Sequence, residues 1–235
     1  MMSATAPSSQ QTNAVTYFDD MEDLAMHALL LVDLQYDFMP GGPLGVPQGD
    51  AALPVANAVL DHFELVVATQ DWHPADHGSF VTQNPGLGVG DITELGGLPQ
   101  VVWPVHCIQG SRGAELHHAL NRTRIDRVFR KGTDPTIDSY SGFYDNGHRK
   151  DTGLSAWLRQ REVDHVVVMG LALDYCVKFT ALDAVREGFK TTLLVDGCRA
   201  VNLQPGDGDR AVEEMRAASV EITPSRAFLA NACER

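Results

Sequence analysis

Cys176 stands where a chain can present a nucleophile. An apolar run over 165–170 leads into Leu171, Ala172, Leu173, Asp174 and Tyr175, and Val177, Ala181, Leu182 and Val185 follow at helical spacing before Gly188. A thiol in the first turn of a helix meets unpaired backbone N–H groups and the positive end of the helix dipole, and both favour thiolate. Taken alone, the segment reads equally well as a buried cysteine acting as a small hydrophobe. Asp33 follows four apolar residues, and a carboxylate emerging from a buried strand needs a partner. Lys131 also ends an apolar stretch, although a plain strand-end lysine is common. Together Asp33, Lys131 and Cys176 would supply a base, a stabilising cation and a nucleophile.

A second constellation could hold a metal. Asp71 and His73 form an Asp-x-His pair, and His106 lies beyond it beside Cys107. Two imidazoles and a carboxylate suit Zn²⁺, Fe²⁺ or Mn²⁺ with coordination positions left for water or substrate. His77 is a further candidate ligand. Histidines in a Pro-rich loop more often cap turns and face solvent, and a bare Asp-x-His does not decide between the two.

The elements that must position these groups alternate along the chain. Strands are expected over 28–32, 65–69, 127–130, 165–169, 191–195 and 220–223, and helices over 50–62, 114–120, 152–161, 175–187 and 208–218. Continuous apolar strands separated by helices imply a parallel sheet covered on both faces. The expected fold is therefore α/β: a three-layer, doubly wound, mainly parallel six-stranded sheet with helices on both faces. Ligands bind such sheets beyond the carboxyl ends of the strands. Asp33, Asp71 with His73, Lys131 and Cys176 follow four of the expected strands and so converge on one rim. Residues 70–113 form a long Gly-, Pro- and His-rich stretch with no evident element, a length that favours function or disorder. The Gly-x-Gly-x-Gly at 86–90 follows no strand and opens no helix, so it is not a dinucleotide loop. Gly-x-Ser-x-Gly is absent, which removes a serine-hydrolase elbow.

The 235 residues fit one domain, 27–235, preceded by a polar extension, 1–26, expected to be disordered. Lys+Arg 18 against Asp+Glu 31 gives a net charge of -13, which argues against nucleic-acid or anionic-membrane partners. No apolar run is long enough to span a bilayer. Cys107, Cys176, Cys198 and Cys233 have neither disulfide-framework nor zinc-finger spacing, and a cytoplasmic setting fits them best.

Taken together the motifs resemble the nicotinamidases of the isochorismatase-like cysteine hydrolases. The matching stretches are 32–38, 70–74, 77–80, 103–107, 131–132, 138–143, 169–177 and 196–199. The resemblance implies Asp33, Lys131 and Cys176 as the catalytic trio and Asp71, His73 and His106 as ligands of one divalent ion, Zn²⁺ first and Fe²⁺ or Mn²⁺ as alternatives. It implies a cis peptide at Leu171–Ala172, an oxyanion hole from the Ala172 and Cys176 amides, and an aromatic pocket of Phe38, Trp103 and Tyr140. The implied reaction is hydrolysis of nicotinamide to nicotinic acid and ammonia through a thioester, serving NAD salvage, with pyrazinamide as a further substrate. The implied partner is that small molecule; a homo-oligomer is compatible with the sequence. Leu173 stands where the family usually has Thr. Two rivals remain: an amidohydrolase of the same fold acting on a ureido or carbamoyl compound, and a non-catalytic module that binds metal or a pyridine.

Overall fold

The computed structural model describes residues 26–232. Eight strands and five helices are present among them: β1 Met26–Val32, α1 Ala52–Val59, β2 Leu65–Asp71, β3 Ile92–Leu95, β4 Leu98–Val101, β5 Arg127–Lys131, α2 Leu154–Arg159, β6 Val163–Leu171, α3 Lys178–Arg186, β7 Lys190–Arg199, α4 Asp207–Ala217, β8 Glu221–Thr223 and α5 Ser225–Ala232. Six of the strands form one sheet in the order β5-β2-β1-β6-β7-β8, and every neighbouring pair is parallel. All six expected strands are there, and the expected architecture holds.

The middle of the sheet has no exposed face. From Ala28 to Val32 and from His165 to Leu171 every residue is buried, so side chains of both parities are covered. That pattern requires a layer on each side. Helices α1 and α5 touch each other and both pack on β7, while α2 and α3 pack on β6 and α3 also meets α4. The aliphatic centre runs through Leu29, Leu30, Leu31, Val166, Val167, Val168 and Leu193, all fully buried.

Strand order places the crevice. The chain moves from β1 outward to β2 and β5 on one side, then returns to β6 and runs outward through β7 to β8 on the other. The connections diverge between β1 and β6, and a doubly wound sheet opens its ligand crevice at that point.

Two sequence expectations need correction, and one helix stands where none was expected. Residues 114–120 form no helix. Leu116 instead makes an antiparallel bridge with Gln35, His117 N–H donates to Leu34 O, and Ala114 O accepts from the side chains of both Gln35 and Gln70. Long-range hydrogen bonds to buried backbone groups outweigh the weak helical pattern of this short stretch. The 70–113 segment is not without regular structure, because β3 and β4 pair antiparallel around Gly96 and Gly97. Both glycines have positive φ, as a two-residue hairpin turn of right twist requires. The carboxyl-terminal stretch, for which the sequence offers no signal, forms α5, and Phe228 stacks on Phe63 at a centroid distance of 5.8 Å. The extension 1–26 and Cys233 lie outside the described residues, save Met26, which opens β1. No helix among the described residues is long and apolar enough to cross a membrane.

Candidate active site

Four parallel strands deliver the charged half of the site. Asp33 follows β1 directly, Asp71 closes β2, Lys131 closes β5, and β6 leads through Ala172 into Cys176. Asp71 and Lys131 are register partners across β2 and β5. The Leu171–Ala172 peptide is cis, as expected. After it the chain makes one π-helical turn, Leu173–Val177, before α3 begins, so the predicted strand-turn-cysteine-helix order is present with a wider first turn. Ala172 O accepts from the N–H groups of both Tyr175 and Val177 and ties the turn to the strand end.

Lys131 is the hub. Its ammonium is fully buried, and it donates to Asp71 Oδ1 at 2.6 Å, to Ser139 O at 2.9 Å and to Cys176 Sγ at 3.3 Å. Asp33 Oδ2 lies 2.9 Å from the same nitrogen, so four acceptors surround an ammonium with three hydrogens. Asp33 Oδ1 takes a 2.6 Å hydrogen bond from Thr69 Oγ1, which fixes the carboxylate's rotation. Ligand atoms of Asp33, Asp71 and Cys176 all lie within 4.8 Å of one another.

Burial and charge set the protonation states. Burial pushes the Cys176 thiol well up, with the Lys131 ammonium pulling against it and Asp33 and Asp71 adding to the rise. Burial thus works against the thiolate that a helix start favours, and a base is needed to take the proton. Burial likewise raises Asp33 above the usual carboxylate range, with Lys131 opposing. Burial works against charge on Asp71 and Lys131 too, but there the ion pairs win. Asp71 is held well below its ordinary range by Lys131 and His73, and Lys131 well above its own by Asp33 and Asp71.

Loops supply the other half. His73 and His106 are buried, and the Nδ1 of each is committed to a backbone carbonyl, Gly132 O at 2.8 Å and Pro104 O at 2.7 Å. A carbonyl only accepts, so Nδ1 of each carries a hydrogen and Nε2 is the atom turned toward Asp71. The two Nε2 atoms converge on Asp71 Oδ2, at 3.4 and 3.7 Å. A carboxylate and two imidazoles whose far nitrogens are locked to protein carbonyls make the donor set and outer shell of a divalent-cation site. The residues present fit such an ion. Gly132 is shaped for this arrangement, since a Cβ there would come within 2.4 Å of the His73 ring. His77 is buried and stacks near His73, but it groups with His73 and Asp138 rather than with Asp71 and His106. Its Nδ1 pairs with Ser79 Oγ, and burial brings the imidazole down to about 4.

Between the halves lies a small pocket whose free volume is about 20 Å³. Phe38, Trp103 and Tyr140 line it as expected, with Asp71, His73, His106, Ala172 and Cys176. Sequence reasoning missed Leu44, Asp138, Tyr175 and Val201 in its wall. Tyr175 abuts the nucleophile candidate in sequence, and Asp138 opens a matched motif, so both were within reach. Leu44 and Val201 carry no chemical signal. Trp103 and Tyr140 each meet the Tyr175 ring edge-on, at 4.8 and 5.4 Å. A mostly apolar, aromatic-lined pocket beside a thiol, a carboxylate and a cation site has the chemistry to face an aromatic ring and attack a carbonyl attached to it.

Comparison with known proteins agrees with this geometry. Residues 27–227 match the family model described as Isochorismatase domain. A nicotinamidase of Escherichia coli is 53% identical over 201 residues, covering 83% of this chain and 93% of its own length. Among solved structures, a nicotinamidase/pyrazinamidase of Acinetobacter baumanii superposes with a TM-score of 0.84 at 42% identity, covering 88% of this chain and all of the other. A pyrazinamidase of Pyrococcus horikoshii in complex with zinc gives 0.69 at 37% identity, covering 84% and 98%.

Proposed function

The chain belongs to the nicotinamidases of the isochorismatase-like hydrolases, and from that membership we propose that it converts nicotinamide to nicotinic acid and ammonia by covalent catalysis at Cys176. The observation that carries this reading is the buried contact of Lys131 with Asp33, Asp71 and Cys176 at one strand-end rim. A binding module has no use for a thiol placed between a base and an ammonium.

In this reading the ring enters the slot formed by Phe38, Trp103 and Tyr140, with its carboxamide carbon over Sγ. Asp33 Oδ2 takes the thiol proton as sulfur attacks. Negative charge develops on the carboxamide oxygen, and the Ala172 and Cys176 amides donate to it. Asp33 returns the proton to nitrogen as the C–N bond breaks, because an amide nitrogen leaves only once protonated. The acyl group then sits on sulfur as a thioester. Asp33 next deprotonates an incoming water, and the C–S bond breaks to give the acid and restore the thiol. Lys131 keeps the Asp33 carboxylate and the passing sulfur anion near electrical balance. Asp71, His73 and His106 would hold one divalent ion, with Zn²⁺ the first choice and Fe²⁺ or Mn²⁺ alternatives. When bound, it supplies a Lewis-acid anchor for the substrate ring.

The finer assignments belong to the same proposal: residues 27–235 as one catalytic domain with 1–26 as an extension, small-molecule partners with neither nucleic acid nor membrane, pyrazinamide as a further substrate, and a role in NAD salvage. Cys107, Cys176 and Cys198 are free thiols, which favours a reducing cytoplasm. Ammonia release from nicotinamide, on protein of measured metal content, tests the core reading. Preference for a ureido or other non-aromatic amide would overturn it.

A further inference from the structure

Gln100 does not line the cavity, yet it is the hairpin residue most engaged with it. It lies on β4, 3% exposed, on a hairpin whose other residues are all half-buried or exposed. Its Nε2 stands 2.9 Å from Asp138 Oδ2 and 3.0 Å from the Tyr140 hydroxyl, with Val101 O also at 2.9 Å. The Tyr140 hydroxyl accepts a second hydrogen bond, 3.1 Å, from Trp103 Nε1. A carboxylate only accepts, so Nε2 faces Asp138, and its two hydrogens are shared among Asp138, the Tyr140 hydroxyl and Val101 O, while the indole donates to the hydroxyl. Three groups that line the cavity, Asp138, Tyr140 and Trp103, are thus joined through one amide that does not.

Each of these groups needs that amide. Asp138 is a buried carboxylate with no ion-pair partner among the described residues; its other oxygen takes only the Ser139 N–H. Losing the Gln100 donor would leave that oxygen under-satisfied in a dry place, and the loop would shift to solvate it. Tyr140 holds its ring between Tyr175 and Phe179, and the two N–H donors hold its hydroxyl, the far end of the ring, in place. None of Asp33, Lys131 or Cys176 touches Gln100.

We infer that Gln100 is a positioning residue for substrate recognition, holding Tyr140, Trp103 and Asp138 in the ring-binding arrangement through its side-chain amide. The hairpin β3–β4, set in a stretch that reads as plain loop, is then a strut that carries this amide to the cavity wall. The inference rests on the proposed nicotinamide hydrolysis, and it predicts a defect in binding with the chemical step spared.

The test is steady-state ammonia release from nicotinamide by the full chain, comparing wild type, Gln100→Met, Gln100→Glu, Tyr140→Phe and the Gln100→Met/Tyr140→Phe pair. Methionine keeps length and apolar bulk but cannot donate, so KM should rise about tenfold while kcat stays within about threefold, the worth of roughly one ordering hydrogen bond. In the Tyr140→Phe background the same substitution should add much less, because the acceptor through which it acts is gone. A folded Gln100→Met with KM within about twofold of wild type, or fully additive effects in the pair, overturns the inference. So does a fall in kcat with KM unchanged, the mark of general destabilisation. Gln100→Glu keeps the shape but sets a second carboxylate against Asp138, so it should raise KM at least as far as methionine does, and it serves should the methionine variant fail to fold. If neither folds, Tyr140→Phe decides: an unchanged KM overturns the inference. Wild-type protein that releases no ammonia from nicotinamide refutes the function as well, whereas active wild type with insensitive variants refutes only the role of Gln100.

Discussion

The two halves of the site are held in place by different means. Asp33, Asp71, Lys131 and Cys176 stand at the ends of β1, β2, β5 and β6, so the ladder that builds the core also sets their spacing. His73, His106, Trp103 and Tyr140 come from loops, and hydrogen bonds set theirs: His73 to Gly132 O, His106 to Pro104 O, and Trp103 and Gln100 both to the Tyr140 hydroxyl. Under the proposed function the contrast would be a division of labour: bond making and proton transfer need sub-ångström placement and would sit on strands, whereas recognition of the ring, and all of the ion site but Asp71, would sit on loops whose contacts can be tuned one at a time.

If the division is right, damage to the strand half should stop chemistry and leave binding. Cys176→Ala should lower ammonia release by at least about three orders of magnitude while keeping fold, metal and substrate binding. Residual turnover above roughly a hundredth of wild type would mean the acyl–sulfur step is not on the path. Asp33→Asn keeps the shape and the Thr69 contact but cannot accept a proton, so kcat should fall by about 10³-fold. It also leaves Lys131 short of a counter-charge, and calorimetry should show a lower Tm. Near-normal turnover would place the base elsewhere.

Damage to the loop half should do the reverse. His73→Ala or His106→Ala should weaken metal binding by more than the roughly 10–100-fold that loss of an outer-shell partner costs, with Cys176 still open to alkylation. His77→Ala should lose less, because His77 groups apart from Asp71 and His106. Metal analysis of the three variants checks the order. Gly132→Ala is the sharper probe: its Cβ would displace the His73 ring while β5 and Lys131 stay in register, so metal should fall before stability does.

The smallest expected effect concerns pH and stability. His77 is buried with its imidazole lowered to about 4, so the folded state binds its proton less readily than the unfolded chain, where the value is about 6.5. Its contribution to stability is complete above that unfolded value and is lost as pH falls toward 4. Urea midpoints of wild type should therefore decline between about pH 6.5 and 4, and His77→Asn should flatten that decline. Parallel curves for the two proteins would show that His77 does not titrate on unfolding.

The sequence by itself determined the parallel sheet, its six strands and the chemistry at their ends. Apolar strands are local patterns, and each functional group follows its strand directly, as Asp33 follows Val32 and Lys131 closes Arg127–Lys131. What lay between strands was legible only where a motif marked it. The helix expected over 114–120 failed because Gln35 and Gln70 claim that backbone from far away in sequence. The Gly96–Gly97 turn was a local signal within 92–101, whereas the Gln100 amide and the walls at Leu44 and Val201 were invisible because their roles exist only through distant partners. The protonation of Cys176 shows the limit most plainly. A helix start favours a thiolate, but the closed core around the sulfur works against charge, and burial is a property no single segment possesses.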